Sequence, residues 1–205
     1  MTKERYHPVL SSLTRPPYPS KIVFGPDPLH PAYSSQPLLN MLRGARINVD
    51  YQPDPLPAIW IKFLFIASFG LVSARHDQPI GVINEDPDLH DSARRLVLEI
   101  TAIAQGKGVA LPENSTGLIL QKAASFPYHT PTSLQLDVHS DKPCTELKLF
   151  AGAVMNYGHR LGLSVVETTK ICQGMKSQLV WRAVRQDPIV DANPAAPDVP
   201  DVGRT

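Results

Sequence analysis

The 205-residue sequence has little of what marks several large classes of protein. It holds two cysteines, Cys144 and Cys172, far apart in the chain, which excludes a disulfide framework and favours a reducing compartment. Its 20 basic and 19 acidic residues give a formal net charge of +1, too small to steer it toward nucleic acid or an anionic membrane. The N-terminal MTKERYHPVL has no apolar core of signal-peptide length. We therefore expect a soluble, cytoplasmic protein with no nucleic-acid or membrane partner.

Motifs for phosphate or metal binding are missing too. A dinucleotide fingerprint needs three spaced glycines between a strand and a helix, whereas Gly106-Lys107-Gly108 follows a predicted helix and reads as its C-terminal cap. The seven histidines form neither an HExxH motif nor a pair four residues apart, so no metal site is predicted. They are His7, His30, His76, His90, His129, His139 and His159.

One long apolar run is present, residues 58–74, AIWIKFLFIASFGLVSA. It is shorter than a bilayer span and carries Lys62 near its start. A helix buried in a protein core is therefore favoured over a membrane helix.

Proline, at 21 residues, is abundant but unevenly distributed, and its positions divide the chain. Four prolines within residues 1–20 forbid a helix there, so we predict a disordered leader. Residues 21–25 and 47–51 read as strands, and residues 36–46, with apolar side chains at helical spacing, as the helix between them. A proline-rich bridge at 53–57 ends this partial α/β unit, residues 21–57.

From residue 58 the pattern becomes helical, which predicts a mainly α domain over 58–186. The second helix of this domain is expected to begin at Asp86 or Asp88, with Pro87 in its first turn, and to end at Gly106 and Gly108. Further helices are predicted over 112–123, 145–162 and 167–184, with a loop within 130–142. The tail from residue 187 lacks periodicity and is predicted to be disordered.

Lys62 allows two interpretations. A lysine among large apolar side chains is desolvated, which lowers its pKa and suits it to act as a general acid near neutral pH. Alternatively, it lies on the exposed stripe of its helix. Helix geometry alone does not separate the two.

A second group of polar residues consists of Ser133, Asp137 and Glu146. Ser133 and Asp137 are four residues apart, and Glu146 stands at the start of the next predicted helix. A carboxylate is favoured there by the helix dipole, so Glu146 taken alone reads as a cap.

The order of these motifs resembles the ketopantoate reductase (2-dehydropantoate 2-reductase) family over roughly residues 21–183. The residues that carry the resemblance are Lys21 to Pro26, Trp60-x-Lys62-Phe63, Thr132-Ser133-Leu134-x-x-Asp137, Lys142-Pro143-x-Thr145-Glu146-Leu147, Gly152 and Leu161-Gly162-Leu163.

The resemblance implies an all-α C-terminal domain, of the 6-phosphogluconate-dehydrogenase C-terminal-like type, preceded by part of a Rossmann domain. It implies NADPH-dependent reduction of a 2-oxo acid to a 2-hydroxy acid. Lys62 matches the lysine that protonates the developing alkoxide. Glu146 matches the glutamate of the cleft, which helps hold substrate or cofactor, and Ser133 matches a serine that contacts the substrate.

The sequence departs from the family pattern in three places. The glycine-rich NADPH loop is absent, so residues 21–57 correspond to only a remnant of the Rossmann domain. The family often has asparagines one and two helical turns after the lysine, where this chain has Ile66 and Gly70. Cys144 stands as an extra residue between Pro143 and Thr145, which affects the register of Glu146.

Two hypotheses follow. The chain is the catalytic half of a 2-oxo acid reductase, inactive alone, whose nucleotide-binding portion comes from elsewhere, through a partner or a homodimer. Alternatively, it is a degenerate relative that keeps the helical domain as a non-catalytic binding or dimerisation module. In either case it is not a self-sufficient two-domain dehydrogenase.

Overall fold

The computed structural model of the protein describes residues 21–27, 30–139 and 145–175. The predicted leader, the predicted tail and the last part of the predicted helix 167–184 lie outside these ranges. The described residues form two compact units that divide between Ile59 and Trp60.

The first unit is a strand–helix–strand element. Strands β1 (Ile22–Phe24) and β2 (Val49–Tyr51) pair in parallel, with Ile22 opposite Val49, and helix α1 (Gln36–Gly44) connects them. Lys21 Nζ lies 2.6 Å from Asp50 Oδ2, and this hydrogen bond holds the pKa of the Asp50 carboxyl below its usual value. The predicted strands and helix are present with shorter bounds.

The second unit is built around helix α2 (Leu56–His76), which begins two residues before the predicted start. Ten of its residues between Leu64 and Ala74 are buried, among them Phe69 and Leu71 with no exposed surface. Helix α2 is long and apolar enough to cross a membrane by length and composition, but half of that apolar window is buried inside the described protein. This burial favours a core helix.

Helices α3 (Ile80–Glu85) and α4 (Pro87–Gly106) follow α2, and α3 was not predicted. Asp86 caps α4, because its Oδ1 accepts hydrogen bonds from the backbone N–H of Asp88 at 2.9 Å and of Leu89 at 3.0 Å. At the other end Gly108 has a φ of +77°, a left-handed conformation that suits glycine after a helix. Both predicted ends of this helix are therefore confirmed.

The remaining elements complete a mainly α fold. They are α5 (Ser115–Ala124), α6 (Ser133–His139), α7 (Thr145–Leu147), a π-helical segment (Lys148–Gly152), α8 (Ala153–Arg160) and α9 (Val166–Gly174). The polar segment from residue 130 starts with a loop, as predicted, and α6, which follows it, was not predicted. Leu134, fully buried, gives this polar segment a reason to form a helix, and Thr132 Oγ1 accepts from the backbone N–H of Gln135 at 3.2 Å.

A polar network joins α4 to the start of α9. Glu99 accepts hydrogen bonds from the backbone N–H groups of Glu167 at 2.6 Å and Thr168 at 3.0 Å, and from the Thr168 hydroxyl at 2.7 Å. These amides have no partner within their own helix, so Glu99 satisfies them from a neighbouring one. The network fixes the position of α9 on α4.

Candidate active site

Two of the predicted site residues, Ser133 and Glu146, are in direct contact. The Ser133 hydroxyl donates a hydrogen bond to Glu146 Oε2 at 2.8 Å. Ser133 is the first residue of α6 and Glu146 is the middle residue of α7, so the bond joins the starts of two helices. It leaves the second carboxylate oxygen and the lone pairs of the serine hydroxyl for another molecule.

Buried leucines hold this pair in place. Leu134 follows Ser133, Leu147 follows Glu146, and neither leucine has exposed surface. Their neighbours are then turned outward: Ser133 is exposed and Glu146 is half-buried. The packing of two apolar side chains thus determines where the two polar ones meet.

The third predicted residue, Lys62, lies in the first half of α2 and is exposed. Its side chain therefore lies on the exposed stripe of the helix, and its role as a general acid stays a prediction. Within the described part of the chain no hydrogen bond or ion pair of Lys62 is observed, and none joins it to Ser133 or Glu146.

The helix that carries Lys62 nevertheless packs on α6, which carries Ser133, and on the π-helical segment that follows α7. A Cβ placed on Gly70 would lie 3.6 Å from Leu134 Cβ, so α2 approaches α6 closely there. Next to Lys62, Phe63 packs edge-on against Phe150 of the π-helical segment, with ring centroids 6.1 Å apart. The three predicted residues therefore lie on elements that contact one another.

The π-helical segment begins two residues after Glu146. Short π segments within helices are often found at functional sites, where the wider turn changes the direction of side chains. The sequence shows no signal for it. The effect of Cys144 on the register of Glu146 stays a prediction, because Cys144 lies outside the described residues.

Comparisons with known proteins identify the family of the helical unit. The family model "Ketopantoate reductase PanE/ApbA C terminal" matches residues 54–178, which is more than half of the chain. The chain belongs to the ketopantoate reductase C-terminal family.

Curated relatives named 2-dehydropantoate 2-reductase share this family with the chain. The one from Mycobacterium tuberculosis strain H37Rv is 29% identical over 133 residues, and the one from Streptococcus pyogenes serotype M1 is 25% identical over 126 residues. These alignments cover 64% and 61% of this chain, but only 43% and 41% of the relatives. The chain thus matches less than half the length of these reductases.

Solved structures confirm the fold. A dimeric ketopantoate reductase from Staphylococcus aureus superposes with a TM-score of 0.68 at 16% identity, covering 80% of this chain and 54% of that one. D-mandelate dehydrogenase, solved with NADH and anilino(oxo)acetate, superposes with a TM-score of 0.65 at 13% identity, covering 77% of this chain and 66% of that one.

The first unit does not fit the pyrophosphate of a dinucleotide. In its described residues the glycines are Gly25 and Gly44, too few and too far apart for the fingerprint. Gly25 has a structural role, since a Cβ there would overlap the carbonyl oxygen of Gln52 and lie 2.9 Å from Pro55 Cδ. Any such cofactor of this family member must have its phosphates held by other residues.

Proposed function

We propose that the chain is the substrate-binding half of an oxidoreductase that reduces a 2-oxo acid to a 2-hydroxy acid. The observation that carries the proposal is the hydrogen bond between Ser133 and Glu146, two residues far enough apart in sequence that only the fold brings them together. Membership of the ketopantoate reductase family supports the same reaction class.

Each residue has a chemical role in this proposal. Reduction of a ketone leaves negative charge on its oxygen, and the Lys62 ammonium stabilises that charge and supplies the proton. The Ser133 hydroxyl, which donates to Glu146 in the free protein, turns its proton to a substrate oxygen, because a 2-oxo acid has no donor for the serine lone pairs. The Glu146 carboxylate accepts a hydrogen bond from a substrate hydroxyl or from the cofactor.

The reductant in this family is NADPH, and the described residues do not fit its pyrophosphate. We therefore assign the nucleotide-binding role to another segment or another polypeptide, including a second copy of the chain. The dimeric state of the Staphylococcus aureus relative supports the second copy. As a reductase of small metabolites, the protein is expected in the cytoplasm.

The side chain of the proposed substrate is apolar. Ile66, one helical turn after Lys62, offers it no hydrogen-bonding group, and Gly70, two turns after Lys62, is buried against Leu134. Leu136 and Leu149, each three residues beyond a member of the Ser133–Glu146 pair, are 56% and 61% exposed. The anilino(oxo)acetate bound by D-mandelate dehydrogenase is a 2-oxo acid of this kind.

A non-catalytic module is the second candidate. Ile66 and Gly70, which stand where the family often has asparagines, favour it. In this case the helical unit would bind a partner chain or dimerise without binding a 2-oxo acid.

Titration calorimetry at low salt separates the two candidates. The purified chain would be titrated with NADPH and, separately, with phenylpyruvate. We expect phenylpyruvate binding that weakens about tenfold in Lys62→Ala, the loss typical of a charge-assisted hydrogen bond, whereas Glu146→Ala frees the Ser133 hydroxyl and tests the role of that pair. Lys107→Ala and Glu113→Ala, at exposed positions elsewhere, serve as matched controls.

Turnover of 2-oxo acids by the chain alone is not expected. Binding of phenylpyruvate without NADPH binding would support the substrate-binding half. A folded sample that binds neither compound at millimolar concentration would exclude it and favour the non-catalytic module.

A further inference from the structure

A separate cavity of about 350 Å³ lies among the C-terminal end of α2, the first turns of α4 and helix α9. It includes none of Lys62, Ser133 and Glu146. Its volume is in the range of small-molecule sites. Charged residues line most of it, and the way in which they pair determines what the cavity can hold.

Most of the acidic groups in the cavity wall are already neutralised. Glu167, whose side chain is 7% exposed, accepts hydrogen bonds from Ser92 Oγ at 2.6 Å and from Arg95 Nε at 3.0 Å. Asp91 forms ion pairs with Arg95 and with Arg94, the latter at 2.6 Å. These two carboxylates therefore have little charge left to attract a cation.

Two cations in the wall, Arg75 and Lys170, form no ion pair within the described residues. Arg75 is held in position, because its guanidinium lies against the backbone of Gly174, where a Cβ would meet its Cζ at 2.7 Å. Asp88 is the one remaining lining carboxylate for which no ion pair is observed in the described ranges. The unpaired groups thus carry a net positive charge.

The charges of Arg75 and Lys170 also act on His76, which lines the same cavity. Its pKa is lowered, first by burial and then by the positive charges of Arg75 and Lys170, while Asp86 and Glu167 act in the opposite direction. Burial is the largest of these effects, and the two cations add to it.

We infer that this cavity binds a small phosphate ester, with Arg75 and Lys170 as the phosphate ligands. Arg75 and Lys170 can both attract the charged oxygens of a phosphate, and an arginine fork is suited to their geometry. The volume exceeds that of a phosphate group, and Leu89 and Ile171 provide apolar lining for the organic part. This inference is independent of the proposed reductase function.

The test uses phenyl phosphate, inorganic phosphate and malonate as probes at constant ionic strength. We expect saturable binding by calorimetry, tighter for phenyl phosphate than for inorganic phosphate and weakest for malonate. Arg75→Gln and Lys170→Gln should each weaken phenyl phosphate binding by about tenfold, whereas Lys122→Gln, on another face, should not. Lys170 is exposed, so that variant keeps the test valid if Arg75→Gln fails to fold.

Proton NMR titration of His76 gives a second readout. A bound phosphate offsets the charges of Arg75 and Lys170, so the pKa of His76 should rise when phenyl phosphate is added, and this rise should disappear in Lys170→Gln. Equal weakening in Lys122→Gln, malonate binding as tight as phenyl phosphate, or no saturable binding at millimolar concentration would each overturn the inference.

Discussion

At the scale of the residue, burial decides the chemistry of Cys172. Its side chain is buried, and desolvation raises the pKa of the thiol to about 12. Since the thiolate is the reactive form, we expect iodoacetamide to leave Cys172 unmodified in the native protein at about pH 8. Peptide mapping by mass spectrometry, in a Cys144→Ser background, would measure this.

Urea is the control for that experiment, because unfolding should make Cys172 fully reactive under the same conditions. Stoichiometric modification in native buffer would contradict the packing of α9 described above.

His76 makes the stability of the protein depend on pH. Its pKa in the folded protein is lowered by burial and by Arg75 and Lys170, so the folded state binds a proton less readily than the unfolded chain. Its contribution to the free energy of unfolding is fully present above the unfolded pKa, about 6.5, and is lost as the pH falls through the lower folded pKa.

Urea unfolding of the wild type and of His76→Asn over a series of pH values would isolate this contribution. The charged groups that act on His76 are Arg75 on α2, Asp86 before α4, and Glu167 and Lys170 on α9. We expect the wild type to lose stability relative to the variant as the pH falls below about 6.5. Parallel curves would show that His76 is not the group responsible.

At the scale of the element, two helical glycines should respond oppositely to the same change. A Cβ on Gly70, in the interior of α2, would meet only ordinary contacts of 3.6–3.9 Å, so Gly70→Ala should stabilise the protein by about 0.5–1 kcal/mol through helix propensity. A Cβ on Gly81, in α3, would overlap the Tyr128 ring and lie 2.5 Å from its carbonyl oxygen. Gly81→Ala should therefore destabilise by about 1–3 kcal/mol.

Thermal unfolding of the two variants beside the wild type measures both effects. A lower Tm for Gly70→Ala would mean that α2 and α6 pack more tightly than the Gly70–Leu134 spacing indicates.

Elements with strong local signals could be predicted from the sequence, and those held by distant contacts could not. Helix α4 has a capping aspartate, a proline in its first turn and glycines after its end, and its predicted bounds are nearly those observed. Helix α6 has a polar composition and depends on Leu134, which is buried by packing against α2. The π-helical segment has no known sequence signature in this chain.

Only part of the candidate site, likewise, could be predicted from the sequence. The motif order singled out Lys62, Ser133 and Glu146, and the fold brings Ser133 and Glu146 into contact. Local sequence could not decide whether Lys62 is buried, because its apolar neighbours would suit either the core or an exposed stripe. The cavity lined by Arg75 and Lys170 was not predicted either, because these two residues are far apart in the chain and charged residues usually lie at the surface.

At the scale of the whole molecule, the backbone hydrogen bonds of the first unit are less well covered by surrounding residues than those of the second. Strands β1 and β2 form a two-stranded parallel sheet of three residues each, and none of these residues is fully buried. Parallel sheets are normally covered on both faces, and isolated two-stranded pairs are marginally stable. Helix α1 buries Leu39 but leaves Leu38 and Met41 exposed.

We therefore expect the first unit to open with a much smaller free energy than the second. Hydrogen–deuterium exchange followed by mass spectrometry would show rapid exchange in peptides covering residues 22–24 and 49–51, and strong protection in the buried part of α2 and in α4. Lys21→Ala, which removes the ion pair to Asp50, should accelerate exchange only in the first unit.

The same measurement tests the role assigned to a second polypeptide. If a nucleotide-binding partner or a second copy completes the sheet, protection of residues 22–24 and 49–51 should rise with protein concentration or with added partner, because strand edges pair with other chains. Protection of the strands equal to that of α2 in the dilute protein would instead mean that this unit is stable without such pairing.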